Sequence, residues 1–323
     1  MSIKLICPRS HKPLKKSGDI LFSNEGNEYP IRNGVPRFVE DDIYAASFGE
    51  QWNNFVGTQL DSDTGTTITE DRLVNALGSN LNGKLEGKTI LEAGCGAGRF
   101  TEILLKQKAN ICSVDASCAV DAHIKNFPIT DSHEVFQADI TNLPFEEKSF
   151  DIVLCLGVIQ HTPDPAETIE QLYRHVKPGG FLVIDHYEYL LSYYLHPAPL
   201  FRFFLKRYSR KSPKECMNFV KAMVNALFPI HWFLWNINPR LNWLFNRISP
   251  VITYFAHYPQ LTREQHFQWS LLDTHDTLTD WYKHRKTVKQ IIRILEKLGV
   301  ENIECSYSGN GVEARGRKPK TYN

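Results

Sequence analysis

From residue 89 onward, short apolar runs alternate with amphipathic stretches in a regular rhythm. Thr89–Ala93 reads as a strand and Phe100–Lys108 as the helix that follows it. Asn110–Val114 is a second strand ending in Asp115, 117–127 a helix, and Glu134–Ala138 a third strand ending in Asp139. Phe150–Leu156 is almost continuously apolar, as a strand covered on both faces must be. Pro165–Val176 reads as a helix, Lys177-Pro178-Gly179-Gly180 as a turn and Phe181–Ile184 as a fifth strand. After a long interruption, Thr287–Leu298 places Val288, Ile291, Ile292 and Leu295 on one helical face, and Gly299 stops it. Asn302–Tyr307 and Gly311–Arg315 then form a closing hairpin around Ser308-Gly309-Asn310. Alternation of this kind predicts an α/β domain with a parallel sheet and crossover helices. The closing hairpin gives that sheet one antiparallel strand.

The flanking segments follow other patterns. Residues 1–40 read as a small β-rich unit, with strands at Lys4–Cys7, Ile20–Ser23 and Glu28–Ile31 separated by glycine turns. Residues 41–88 are a lead-in, with a helix over Asp71–Leu77 capped by Thr69 and stopped at Gly78. Residues 187–284 interrupt the alternation with dense aromatics, and prolines 197, 199, 213, 229, 239 and 250 break them into helical pieces. Residues 89–186 and 285–323 together make the core domain.

Composition bounds the possibilities. A chain of 323 residues with 42% hydrophobic content is globular, and a net charge of +1 gives no global pointer to nucleic acid. Seven scattered cysteines suit buried free thiols in a reducing compartment rather than a disulfide framework. The N-terminus lacks a signal-peptide pattern and no run of 18 apolar residues occurs, so a cytoplasmic location is expected, with peripheral membrane contact as an addition.

The chemistry concentrates in Leu91-Glu92-Ala93-Gly94-Cys95-Gly96-Ala97-Gly98-Arg99-Phe100, a strand end running into a glycine-rich turn and a helix. Glycines there let the backbone turn sharply and let a ligand approach closely. The spacing E-x-G-x-G-x-G resembles motif I of class I S-adenosylmethionine-dependent methyltransferases of the type 11/12 kind. Phe150–Cys155 and Leu-Tyr-Arg-His-Val-Lys-Pro-Gly-Gly-Phe-Leu-Val-Ile (172–184) resemble later motifs of that family. The resemblance implies a Rossmann-like, seven-stranded, mostly parallel sheet with a terminal antiparallel hairpin, and S-adenosylmethionine as the cofactor. It implies cofactor contacts at Glu92, Gly94, Gly96 and Gly98, ribose contacts at Asp115 beside Ala116, adenine contacts at Asp139 and Ile140, and Leu156 near the methionine end. Residues 1–40, with Cys7-Pro8, Tyr29-Pro30-Ile31 and Gly34-Val35-Pro36, resemble a degenerate Trm112-like zinc ribbon. Ser10 stands where the second knuckle cysteine would be, so no metal is expected.

Methyl transfer needs an in-line nucleophile and often a base. His161, on the loop after the fourth strand, is the candidate base, set against a role in shaping the pocket. Tyr44, Trp52, Tyr187, Asp273, His275 and Tyr282 are candidate substrate contacts. Between Tyr187 and Tyr258 nine basic residues face two acids, Glu188 and Glu215. Three readings of this insertion stay open: an aromatic-packed cap with solvated charges, a surface for anionic membranes over 187–260, and an RNA-binding surface. The expected activity is methylation of a small-molecule, lipid-linked or glycan-linked substrate under a helical cap. The alternatives are an RNA (tRNA) methyltransferase and a non-catalytic SAM-binding partner protein.

Overall fold

The computed structural model describes residues 3–39 and 46–320. Four short strands open the chain, β1 (Lys15–Ser17), β2 (Ile20–Phe22), β3 (Glu28–Arg32) and β4 (Val35–Pro36), in one antiparallel sheet. The strand expected at Lys4–Cys7 makes isolated bridges instead, Leu5 with Phe145 and Ile6 with Pro13. β1 is a Lys-Lys-Ser run whose side chains are all exposed, so no hydrophobic pattern announces it. Cys7 is buried against Leu21 and Tyr29, its thiol 3.2 Å from the Tyr29 hydroxyl.

The lead-in folds as α1 (Ala46–Asn54), α2 (Asp61–Thr64) and α3 (Ile68–Leu81). Thr69 does not cap α3; it is buried inside it, its hydroxyl donating to the Gln59 carbonyl at 3.0 Å. Gly78 kinks the helix rather than stopping it. Its φ is +63°, and a Cβ there would lie 2.3 Å from the Arg315 guanidinium carbon.

The core alternates β5 (Thr89–Ala93), α4 (Thr101–Lys106), β6 (Asn110–Asp115), α5 (Ala119–Asn126), β7 (His133–Gln137), β8 (Phe150–Cys155), α6 (Pro165–His175) and β9 (Val176–His186). The predicted turn at 177–180 lies inside β9, which shifts register against β8 between Phe150 and Ile152. A Cβ on Gly180 would come 2.7 Å from the Asp151 carbonyl, so glycine permits a bulged strand where a turn was expected.

Four helices fill most of the insertion: α7 (Leu191–Tyr194), α8 (Ala198–Lys211), α9 (Pro213–Ile237) and α10 (Pro239–Asn246). Pro213 and Pro239 open their helices, where a missing N–H costs nothing, but Pro229 sits inside α9 and does not break it. α11 (Arg263–Thr279) and α12 (Val288–Lys297) each begin with a Thr-Gln capping box, and β10 (Glu301–Ser308) and β11 (Gly311–Arg317) close the chain.

The seven-stranded sheet has the order β7-β6-β5-β8-β9-β11-β10, with β11 running antiparallel to its neighbours, as expected of a Rossmann-like methyltransferase sheet. α6 and α12 bury one face of the sheet and α3 and α4 the other. The N-terminal sheet covers the β7 edge: Phe38 N–H donates to the Gln137 carbonyl at 2.7 Å, and Arg37 pairs with Gln137 and Asp121. Among the described residues the seven cysteines form no disulfide, and Cys118 and Cys305 are half-buried rather than buried. No helix among the described residues is long and apolar enough to cross a membrane.

Candidate active site

Strand order reverses at β5, and open α/β sheets form their ligand crevice at such a switch point, outside the carboxyl strand ends. A cavity of about 520 Å³ lies there, floored by the ends of β5, β6 and β8 and roofed by α11 and the loop before it.

The floor is built by local chemistry. Gly94 and Cys95 donate their N–H groups to the Val114 carbonyl at 2.7 and 3.0 Å, pulling the loop back across β6. Gly94 has φ +78°, and a Cβ there would fall 2.2 Å from Val158. At Gly96, φ +51°, a Cβ would meet the Trp52 indole at 3.0 Å, so only glycine lets this aromatic of α1 lie against the loop. Gly96 N–H donates to Asp115 Oδ2 at 3.0 Å, while Asp115 Oδ1 accepts from the Ser117 N–H and hydroxyl at 2.9 and 2.7 Å. Burial raises the Asp115 pKa, and these hydrogen bonds oppose the rise.

Glu92 lies beneath the loop rather than in the cavity. Its Oε2 accepts from the Thr101 and Ser113 hydroxyls at 2.5 and 2.8 Å, and its buried Oε1 is left without a partner. Burial outweighs these bonds and pushes its pKa up to about 7. His123, driven down to about 3 by burial, is neutral and donates from Nδ1 to the Gly96 carbonyl at 3.2 Å.

Of the expected cofactor residues, Gly94, Gly96, Asp115, Ala116, Ile140 and Leu156 line the cavity. Glu92, Gly98 and Asp139 do not. Asp139 closes a local turn, accepting from the Thr141 N–H at 2.9 Å and its hydroxyl at 2.8 Å, which is the ordinary use of a strand-end aspartate.

The opposite wall carries His161. Its Nδ1 lies 2.9 Å from Asp280 Oδ2, so a neutral ring donates there and leaves Nε2 as acceptor, 3.8 Å from Asp276 Oδ1. Phe48 and Tyr187 meet the imidazole edge-on and hold its plane. Arg202 Nε and Lys283 Nζ reach Asp280 at 2.5 and 3.2 Å, and Lys283 is 3.5 Å from Asp276. Burial alone would raise the Asp280 pKa; Lys283, His161 and Arg202 bring it down to about 2. His161, Asp276 and Asp280 have the mutual spacing of a metal site. The buried ammonium of Lys283 already pairs both carboxylates and the half-buried Arg202 pairs Asp280, so the cluster reads as a charge-balanced network around the imidazole.

Trp52, Tyr187 and Asp273 line the cavity as expected, and Tyr44 lies outside the described residues. His275 and Tyr282 do not line it. His275 is buried on another side of α11, with Nδ1 2.9 Å from Gln51 Oε1, and the Tyr282 ring stacks on His284. Asp273 and Asp276, three apart on the helix, share the cavity face; His275 falls between them in sequence but not in space. Burial, with Asp276 nearby, raises Asp273 to about 6.

Sequence reasoning missed two arginines. Arg72 reaches Asp185 at 2.5 Å, and the other oxygen of Asp185 accepts the Gly157 N–H, fixing the end of β8. Arg99, within the glycine motif itself, hydrogen-bonds Thr69 and Gln59 and packs over Trp269; burial lowers it to about 10, so it stays cationic at neutral pH.

Residues 91–184 match the family described as "Methyltransferase domain". The chain is 35% identical over 99 residues to the ubiquinone biosynthesis O-methyltransferase of Pseudomonas paraeruginosa, covering 30% of this chain and 43% of that protein. It is 35% identical over 106 residues to the enzyme of the same name from Alkalilimnicola ehrlichii, covering 32% and 43%. It thus spans less than half the length of these curated relatives. A SAM-dependent methyltransferase from Aquifex aeolicus aligns with TM-score 0.43 at 13% identity, over 85% of this chain and 98% of that one.

Proposed function

From the premise that residues 91–184 form a class I SAM-dependent methyltransferase domain, we propose that the whole protein methylates a small-molecule, lipid-linked or glycan-linked acceptor held under its helical cap. The observation that carries this reading is a single cavity with two unlike ends. A glycine loop and a strand-end carboxylate floor it, and a carboxylate-oriented histidine stands on its wall.

The floor fits the cofactor. Gly94 and Gly96, both at positive φ, turn the loop tightly at the cavity floor and line it with backbone alone. Asp115 presents an acceptor-only carboxylate suited to the ribose hydroxyls, and Ala116, Ile140 and Leu156 supply apolar surface. When bound, S-adenosylmethionine supplies a methyl group already activated on a sulfonium centre.

The rest is the work of this chain's own residues. Asp280 fixes the His161 tautomer, so that Nε2 can take the proton of an acceptor hydroxyl as it becomes a nucleophile. Asp276 sits where it stabilises the imidazolium that results. Tyr187, Tyr254 and Trp269 wall the acceptor end with aromatic surface and limit water. An oxygen acceptor accords with the names of the O-methyltransferase relatives.

The test uses S-adenosylmethionine labelled in its methyl group, incubated with the protein and with lipid and polar cell extracts. Label passing to an extractable acceptor, and doing so far more slowly with His161→Ala, supports the reading. Cofactor binding without transfer to any extract would overturn it in favour of a SAM-binding partner role.

A further inference from the structure

Twenty large apolar side chains stand exposed among the described residues, and seventeen of them lie between Tyr189 and Ile248. They are ordered by helical period. On α8, Leu200, Phe203, Phe204 and Tyr208 form one outward stripe at i, i+3, i+4 and i+8, while Leu205 and Ser209 face inward. On α9, Phe219, Ile230, Phe233 and Ile237, at i, i+11, i+14 and i+18, lie along one outward line, with Val220, Val224 and Phe228 buried away from it. Leu241, Trp243 and Leu244 extend the exposed surface along α10, and Ile248 just beyond it is 71% exposed. These helices therefore have two apolar faces, one packed and one bare. Patches of this size mark interaction sites.

The charge around the stripes says what the surface meets. Between Tyr187 and Tyr258 nine basic residues outnumber two acids, and Lys211, Lys214, Lys221 and Arg240 are exposed there. Arg247 lies 4.0 Å over the Trp243 ring and Arg207 4.6 Å over Phe203, so cations and aromatics are paired at the surface. Apolar stripes edged by Lys and Arg, with Trp and Tyr among them, are the chemistry of an anionic bilayer interface. A nucleic acid would use the aromatics for stacking but has no use for exposed aliphatics such as Leu195, Leu200, Ile237 and Ile248.

We propose that the outer face of α7–α10 docks on anionic lipid bilayers. Behind that face α8 and α9 pack on α11, which roofs the cavity, and Arg202 of α8 holds Asp280 beside His161. Resting on the proposed methyl transfer, this would present the cavity to a lipid-linked acceptor lying in the membrane.

The test is flotation of the full-length protein with vesicles of phosphatidylcholine alone and of phosphatidylcholine mixed with phosphatidylglycerol. Binding is expected to the anionic vesicles, with little to the neutral ones, and to weaken with salt. The Phe204→Glu/Phe233→Glu variant is expected to lose about tenfold or more of that binding, since each lost anchor removes a buried apolar side chain. Lys211→Glu/Lys214→Glu is expected to lose about as much through charge. None of these residues lines the cavity, so retained S-adenosylhomocysteine binding shows that the variants are folded. Absence of binding to either vesicle, equal binding to both, or salt-sensitive tRNA binding without vesicle binding would overturn the proposal. Flotation needs no methyl transfer, so its result stands apart from that of the labelling experiment.

Discussion

Asp280 takes the Nδ1 hydrogen bond of His161 at 2.9 Å, although 119 positions separate the two residues in the chain. The pairing joins the loop after β8 to the end of α11, and so joins the core domain to its helical insertion. Arg202 and Lys283 complete the join, making two carboxylates and two cations around one imidazole. The proposed proton transfer to His161 rests on this arrangement, and its consequences can be measured.

Replacing His161 by Ala should lower turnover by about 10²- to 10⁴-fold, the usual effect of losing a general base, with S-adenosylhomocysteine affinity unchanged. Full turnover with normal cofactor binding would assign His161 to shaping the pocket instead.

Asp280→Asn removes a carboxylate shared by the buried ammonium of Lys283 and the half-buried Arg202. Leaving buried charge uncompensated costs about 3–5 kcal/mol, so thermal unfolding should shift downward by many degrees. Unchanged thermal stability would show that the network does not depend on the Asp280 charge.

Gly96→Ala forces an L-residue to φ +51° and brings its Cβ to 3.0 Å from Trp52. Left-handed backbone alone costs about 1–2 kcal/mol. Calorimetry should show cofactor binding weakened by tenfold or more, and a Gly96→Ala/Trp52→Ala double variant should recover part of the loss.

Glu92 gives a pH prediction. Its pKa rises from 4.5 to about 7 on folding, because it is buried with no cation to pair it. The folded state therefore holds this proton more tightly than the unfolded state. The associated stability is complete below pH 4.5 and is lost as pH rises through 7. Denaturant titrations at acid and alkaline pH should differ for the wild type by an amount on the order of 3 kcal/mol from this group, and by less for Glu92→Gln. Equal pH dependence in the two proteins would show that Glu92 is not the source.

The glycine-rich end of the cavity was legible because its turn lies within one short motif. Gly96 and Asp115 lie on neighbouring strand ends, and glycine spacing reveals a backbone that must turn there. Asp139 shows the limit of that logic, since a strand-end aspartate can satisfy itself on Thr141 two residues away. The acceptor end was less legible. Nothing near His161 in sequence points to Asp280 or Arg202, which tertiary folding alone brings to it. α11 buries residues on several sides at once, so its pattern does not show which side is the cavity, and His275 was assigned to it when Asp276 was the residue there. In the insertion, the apolar stripes of α8 and α9 look like core in sequence; their exposure appears only once the opposite faces are seen to be packed.

A SAM site floored by the glycine loop and Asp115 is tested most directly by calorimetric titration with S-adenosylhomocysteine. One-site binding is expected for the wild type and at least about tenfold weaker binding for Asp115→Asn, the effect of losing hydrogen bonds to a charged group. No binding by the wild type, or equal affinity in the variant, would contradict it.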